Sequence, residues 1–263
     1  MHEDLLEKLL QSKKYRDVCP DTVRRIWTDC AVKYKKPKDA DRAAREALHG
    51  ITGAFLTPAE VKECAWAMQA WAVGARTDAQ LANILNKHAS TRERLPLDRM
   101  DALYARIFEV TGRPGNALDL ACGINPLYLG ARGIRTVGVD ISGSAVALTN
   151  AFGETYGMPV RAVCADLLCG NAVPRGRFDA ALLFKALPLL ERQRPGAAAE
   201  VMGAVDAAYL VVSFPTRSLG GRNVGMAAHY AQWMEAHMPK GRAVAGRFET
   251  ENELFYILGR KAL

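Results

Sequence analysis

Three aspartates and one glycine carry the first chemistry that can be read. Asp119 falls in NALDLACG, Asp140 in RTVGVDI and Asp166 in VRAVCAD, each closing a short apolar run that reads as a strand. In a parallel sheet such ends lie on one rim, where ligands bind near the point of reversed strand order. Gly123, in the turn DLACGIN, has no Cβ and lets the backbone approach a ligand closely. An acid about 20 residues further on, ending the second strand, is placed to accept hydrogen bonds from ribose hydroxyls. Asp166, one strand along, is placed to accept from an adenine amino group. The pattern indicates a nucleoside. A dinucleotide is disfavoured, because DLACGIN lacks the G-x-G-x-x-G spacing that seats a pyrophosphate on a helix end. One strand-end aspartate is often a turn residue; three in register carry the reading.

The same rim receives SFPTRSLGGRNVGM, which follows the apolar run AAYLVV and sets Arg217 and Arg222 on a Gly-Gly backbone. The alternative is a glycine-rich crossover with ordinary surface arginines. The five histidines (His2, His49, His88, His229, His237) show no triad and no metal spacing, so neither a catalytic histidine nor a metal site is expected.

These residues need a frame. From Asn116 short β-rich runs alternate with helical segments: NALDLACG, RTVGVDI, VRAVCAD, FDAALLF, AAYLVVS and RFETENELFYILGRK. Near-continuous apolar strands in such alternation predict a mostly parallel, doubly wound sheet with helices on both faces. The first 85 or so residues read as helices. Thr57-Pro58-Ala59-Glu60 is a helix start, with Thr57 capping and Glu60 reaching back, and Trp66, Met68 and Trp71 on that helix read as core. After the break KHASTRERLP, the stretch PLDRMDALYARIFEVTG reads as an amphipathic helix stopped by Gly112. Two domains are expected, residues 1–86 helical and basic, and residues 87–263 built on the sheet.

The net charge of +7 is concentrated. Between Lys8 and Lys38 stand ten basic and three acidic residues, an excess equal to that of the whole chain. Such a cluster fits a polyanion, most commonly nucleic acid, although a solvated helix face has the same composition. The six cysteines form no C-x-x-C pair and read as reduced, structural thiols. With no apolar leader and no run of 18 apolar residues, neither a signal peptide nor a membrane span is supported, and a cytoplasmic location is expected.

The strand-end pattern resembles the class I S-adenosylmethionine-dependent methyltransferases, a Rossmann-like α/β fold, although Ala121 and Asn125 stand where glycines are common. DLACGINPLYL, HASTRERLP, LLFKALPLLERQ, FPTRSLGGRNVGM and SKKYRDVCPDTVRRIW together resemble, from about Ser12 to Tyr256, the 16S rRNA methyltransferases of aminoglycoside resistance. The similar branch methylates ring nitrogen 7 of a decoding-site guanine.

The resemblance implies S-adenosylmethionine as cofactor, with Arg94 or Arg92 of the HASTRER segment holding its methionine carboxylate by a bidentate pair. Alternatively, or in addition, Ser90 and Glu93 form a capping box that fixes this turn. By the same comparison Phe55, His88, Ser90, Thr91, Ala121, Gly123, Asp140, Ile141, Asp166, Leu167, Leu183 and Gln193 surround the cofactor. Lys13, Lys14, Arg16, Arg24, Arg25, Lys35 and Lys36 dock on 16S rRNA in the 30S subunit. Arg217, Arg222 and Lys185 position the target, and the enzyme works as a monomer. The fourth strand carries Phe184-Lys185-Ala186-Leu187-Pro188 where amine methyltransferases have N/D-P-P-Y/F, which suits a ring nitrogen that needs no deprotonation. The implied phenotype is resistance to 4,6-disubstituted deoxystreptamines. Three alternatives remain at this point: methylation of an adenine at ring nitrogen 1, a small-molecule methyltransferase, and a non-catalytic RNA-binding protein on the same fold.

Overall fold

The computed structural model describes residues 3–53, 56–216 and 226–261. Phe55, Arg217 and Arg222 lie outside them. Five helices come first: α1 (Glu3–Leu10), α2 (Pro20–Lys33), α3 (Pro37–Thr52), α4 (Pro58–Val73) and α5 (Asp78–Leu85). Proline at the first helical position starts α2, α3 and α4, where its missing N–H costs nothing. Thr57 and Glu60 close the expected capping box on α4. A short turn, α6 (Ala89–Arg92), leads into α7 (Leu97–Thr111), which ends at Gly112 with φ +68°.

The remaining elements are β1 (Asn116–Leu120), α8 (Asn125–Ala131), β2 (Arg135–Asp140), α9 (Gly143–Tyr156), β3 (Val160–Cys164) and β4 (Phe178–Phe184). After them come α10 (Leu187–Gln193), α11 (Ala197–Ala204), β5 (Ala207–Pro215), α12 (Met226–Ala236), β6 (Arg242–Glu249) and β7 (Glu253–Arg260). They build one sheet in the order β3-β2-β1-β4-β5-β7-β6. The first five strands run parallel, and the last apolar run of the sequence is a hairpin whose two strands pair antiparallel at the edge. Strand order reverses between β1 and β4, so a crevice opens there.

Two cores fill the two faces. One packs α4, α5, α7, α8 and α9 on the sheet through residues such as Trp71, Leu81, Met100, Tyr104 and Phe152. The other packs α10, α11 and α12 through Leu187, Val201, Met202 and Met234. A third, smaller core around Trp27 and Leu48 holds α1, α2 and α3 together. The helices α4 and α5, expected with the N-terminal group, pack their buried stripes into the core on one face of the sheet. Trp66 was expected inside and is 68% exposed. The buried positions of α4 are Cys64, Ala67, Met68 and Trp71, an i, i+3, i+4, i+7 stripe that Trp66 misses.

A short antiparallel bridge joins the small core to the sheet. Val18 bridges Ser142, Cys19 N–H donates to the Ile141 carbonyl at 2.8 Å, and Gly143 N–H donates to the Asp17 carbonyl at 2.7 Å. Glycine is required at 143, because a Cβ there would stand 2.8 Å from the Asp17 oxygen.

Candidate cofactor site

A cavity of about 270 Å³ lies on the carboxyl rim of β1 to β4. Ala121 and Gly123 enter it from the turn after β1, and Asp140 with Ile141 from the end of β2. Asp166 and Leu167 follow β3, Lys185 follows β4, and Gln193 ends α10. His88 and Ser90 cover the turn, and Arg25 reaches in from α2.

At one end the geometry is local. The Asp140 carboxylate accepts from Gly123 N–H at 2.7 Å through one oxygen and from Ser142 N–H at 2.8 Å through the other. Burial pushes its pKa up, and the backbone N–H groups of Gly123, Ser142 and Ile141 oppose that shift. A carboxylate has about four acceptor positions, so the two bonds leave capacity for a diol. Gly123 has φ +52°, and a Cβ would meet His88 Cε1 at 2.8 Å and Ser90 Oγ at 2.9 Å. Ala121 (φ +53°) and Lys185 (φ +56°) are left-handed without being glycine. Such strain, about 1–3 kcal/mol each, concentrates at functional sites.

His88 caps α6: Ser90 N–H donates to its Nδ1 at 3.2 Å, and Ser90 Oγ lies 2.7 Å from the same atom. Burial, helped by Arg92, pushes the imidazole down to about 4, so it stays neutral and able to accept. The cap is thus His88, and the expected Ser90–Glu93 box does not form. Glu93 pairs with Lys185 Nζ instead.

At the other end the partners come from afar. Asp166 is 4% exposed. One of its oxygens accepts from Leu168 N–H at 2.8 Å, and the other takes Arg25 Nε at 3.0 Å and Nη2 at 2.8 Å. Arg25 Nη2 also donates to Gln193 Oε1 at 2.9 Å. Ile141 and Leu167, both half-buried, add apolar surface beside these polar groups. Acceptors for a diol, an acceptor for an exocyclic amine and apolar walls between them fit an adenosyl group.

Several expected positions fall elsewhere. Asp119 does not reach the cavity: it shares the face of β1 with Ala117, in the core, where Asn125 Nδ2 donates to it at 2.7 Å. Tyr104 OH donates to the Asn125 side-chain Oδ1 at 2.9 Å, and burial pushes Asp119 up to about 7. Leu183 points to the opposite core and is fully buried. Thr91 is buried too, its hydroxyl donating to the carbonyls of Leu85 and His88. Neither Arg92 nor Arg94 lines the cavity. Arg92 is exposed, and Arg94 is 5% exposed with Nε and Nη2 on the two oxygens of Glu253, both at 3.0 Å, and Nη1 on the Ser90 carbonyl.

Glu253 was not foreseen. Burial pushes its carboxyl up, but Arg94, Lys185 and the Ser213 hydroxyl, 2.7 Å away, hold it below the usual range. The one sign in the sequence is an acid heading the apolar strand ELFYIL. Of the basic residues expected on the rRNA side, Lys13, Lys14, Arg16, Arg24, Lys35 and Lys36 are exposed, and Arg25 faces the cavity. Among the described residues, no group of three or more His, Cys, Asp or Glu side chains could hold a metal ion.

The chain matches the family model "Ribosomal RNA methyltransferase (FmrO)" over residues 11–257. It is 41% identical over 256 residues to a 16S rRNA (guanine(1405)-N(7))-methyltransferase of Serratia marcescens, covering 97% of each chain. A protein of the same description from Micromonospora echinospora is 36% identical over 262 residues, with 96% of this chain and 94% of that one covered. Among solved structures, 16S rRNA methyltransferase RmtF in complex with S-adenosyl-L-homocysteine superposes with a TM-score of 0.89 at 44% identity, covering 98% of both chains. The 16S rRNA methylase RmtB gives 0.86 at 37% identity, again with 98% of both covered.

Proposed function

The chain belongs to the ribosomal RNA methyltransferase (FmrO) family, and from that premise we propose that it methylates ring nitrogen 7 of a decoding-site guanine in 16S rRNA. The observation that carries the reading is the Asp140 carboxylate, held by the Gly123 and Ser142 amides in a cavity that Asp166 also lines. S-adenosylmethionine, the cofactor of this reaction, supplies an electrophilic methyl group on its sulfonium sulfur. Asp140 would hold the ribose, Asp166 and Gln193 the adenine edge, with Ile141 and Leu167 on the ring faces. The methionine end would lie toward Ser90 and Lys185, whose ammonium is already matched by Glu93 and lies 3.7 Å from Glu253.

Guanine nitrogen 7 presents an in-plane lone pair, so no proton has to leave before attack. Transfer to nitrogen 7 would carry the positive charge from the sulfonium to the base, so no residue of the chain would have to take up a proton. The chain's part is alignment and exclusion of water, and orientation of this kind is worth about 7–11 kcal/mol in favourable cases. Nitrogen 7 sits on the major-groove edge of a stacked base, so the nucleotide has to be unstacked or extruded first. Arg217 and Arg222, which follow β5 in the sequence, are the residues we assign to the displaced nucleotide and its backbone. Lys13, Lys14, Arg16, Arg24, Lys35 and Lys36 supply the docking charge. No helix among the described residues is long and apolar enough to cross a membrane. The substrate is taken to be the assembled 30S subunit in the cytoplasm, met by a monomer.

The test is methyl transfer from labelled S-adenosylmethionine to intact 30S subunits, 50S subunits and naked 16S rRNA, with the modified base mapped. Label on a 30S guanine at nitrogen 7 is the expected result, accompanied by resistance to gentamicin and kanamycin and sensitivity to neomycin. Label on an adenine, with apramycin and neomycin resistance, would overturn it.

A further inference from the structure

Arg25 sits among the basic residues of the N-terminal helices in sequence, but it is the one of the seven expected rRNA contacts that lines the cavity. Its side chain is 17% exposed and forks onto Asp166, which is nearly enclosed. The same terminal nitrogen that meets Asp166 also fixes the Gln193 amide, so Gln193 offers its oxygen to Arg25 and its nitrogen to the Leu189 carbonyl at 3.2 Å. Two polar groups at the adenine end are thus oriented by one guanidinium. That guanidinium is carried by α2, and the residues leading into it, Asp17 and Cys19, are tied to Gly143 and Ile141, next to the ribose acid.

We infer that Arg25 is a positioning residue of the cofactor site, setting Asp166 and Gln193 for an amino-bearing heterocycle, and that cofactor binding therefore depends on the seating of α2. The inference rests on the proposed use of S-adenosylmethionine. Removing the arginine leaves a buried carboxylate without its counter-charge, a costly arrangement that would relax by turning Asp166 toward water. Lysine keeps the charge but loses the two-point fork. A phosphate-contacting arginine would behave differently, because each such contact contributes to the salt dependence of rRNA binding.

The experiment uses the full chain with Arg25→Ala, Arg25→Lys and Gln193→Ala, each checked by thermal unfolding. Titration calorimetry with S-adenosylhomocysteine and with its 6-oxo counterpart, S-inosylhomocysteine, reads the amino group directly. Arg25→Ala should weaken the adenosyl compound at least tenfold and collapse the preference for amino over oxo, with Arg25→Lys intermediate and Gln193→Ala shifted the same way. The slope of log K against log salt for 30S binding should stay at the wild-type value. Wild-type affinity in Arg25→Ala, equal weakening of both compounds, or a salt slope reduced by about 0.9 with cofactor affinity intact would each overturn the inference. If Arg25→Ala does not fold, the lysine and Gln193 variants decide by the same amino-over-oxo ratio. A wild-type protein that binds neither compound would instead sink the proposed function.

Discussion

At Asp140 the two backbone donors stand 17 and 2 residues away along the chain, whereas at Asp166 the arginine comes from 141 residues away and shares a glutamine 168 residues from itself. The first acid is seated as soon as β1 and β2 pair. The second acquires its full set of partners only after the small helical core has docked on the sheet. One cavity is therefore half local and half tertiary, and its two ends should answer differently to the same kind of change.

The more enclosed of the two long-range ion pairs should show the largest effect. Glu253 and Arg94 stand 159 residues apart and are almost wholly enclosed, so Glu253→Gln strands a buried guanidinium and should cost about 3–5 kcal/mol in denaturant unfolding. A loss below about 1 kcal/mol, the value of an exposed pair, would mean the enclosure is not what it looks like.

Next in size is a titration on the roof of the local end. The imidazole of His88 has its pKa depressed from the ordinary 6.5 to about 4, so between those values the unfolded chain binds more protons and stability rises with pH. The unfolding free energy of wild type minus that of His88→Asn should grow by up to about 3 kcal/mol from pH 4 to 6.5. Asp119, raised to about 7, contributes with the opposite sign in the same window, and the difference between the two proteins cancels it. A flat difference would show that His88 is freely solvated.

Asp140→Ala removes the acceptor for two amides and should weaken S-adenosylhomocysteine by about 1.5–3 kcal/mol in calorimetry. Because those amides lie in the turns directly after β1 and β2, the loss should be the same in protein that carries Arg25→Ala. Strong non-additivity would join the two ends that the geometry separates.

Smallest on stability is the outer surface. Replacing Lys13, Lys14 and Arg16 by Glu should move unfolding by no more than about 0.5 kcal/mol and leave cofactor affinity alone. Binding to 30S subunits should nevertheless be lost, measured by filter retention over a range of salt. Retained binding would return that face to plain solvent.

The local end was legible in the sequence because its parts are strand ends and turns, whose placement follows from the alternation of short apolar runs. Asp140, Ile141, Ala121 and Gly123 all line the cavity. The same alternation misleads when the pleat is not followed through. Side chains of a strand point to opposite faces in turn, so Asp119 goes with Ala117 into one core and Leu183 with Ala181 into the other. The long-range parts left almost no trace. Arg25 sits in a basic cluster that reads uniformly as surface, and Arg94 in a segment whose arginines look interchangeable. Which cation turns inward is decided by where α2 and β7 meet the rim, and that is a property of the assembled fold. The capping residue of α6 was misread for a smaller reason, since histidine rarely serves as a cap and serine commonly does.

The antiparallel bridge between residues 17–19 and 141–143 also bears on how such a protein can change its address. Were the N-terminal helices a cassette, they could be cut at the linker and grafted onto another sheet. Cutting here would strip the Ile141 carbonyl and the Gly143 amide of their partners and leave Asp166 without its cation, all beside the cofactor cavity. On the docking role proposed for α1, α2 and α3, a new RNA target would have to be reached by repainting their exposed faces residue by residue, and chimeras made by exchanging those helices whole should arrive already crippled for the methyl donor.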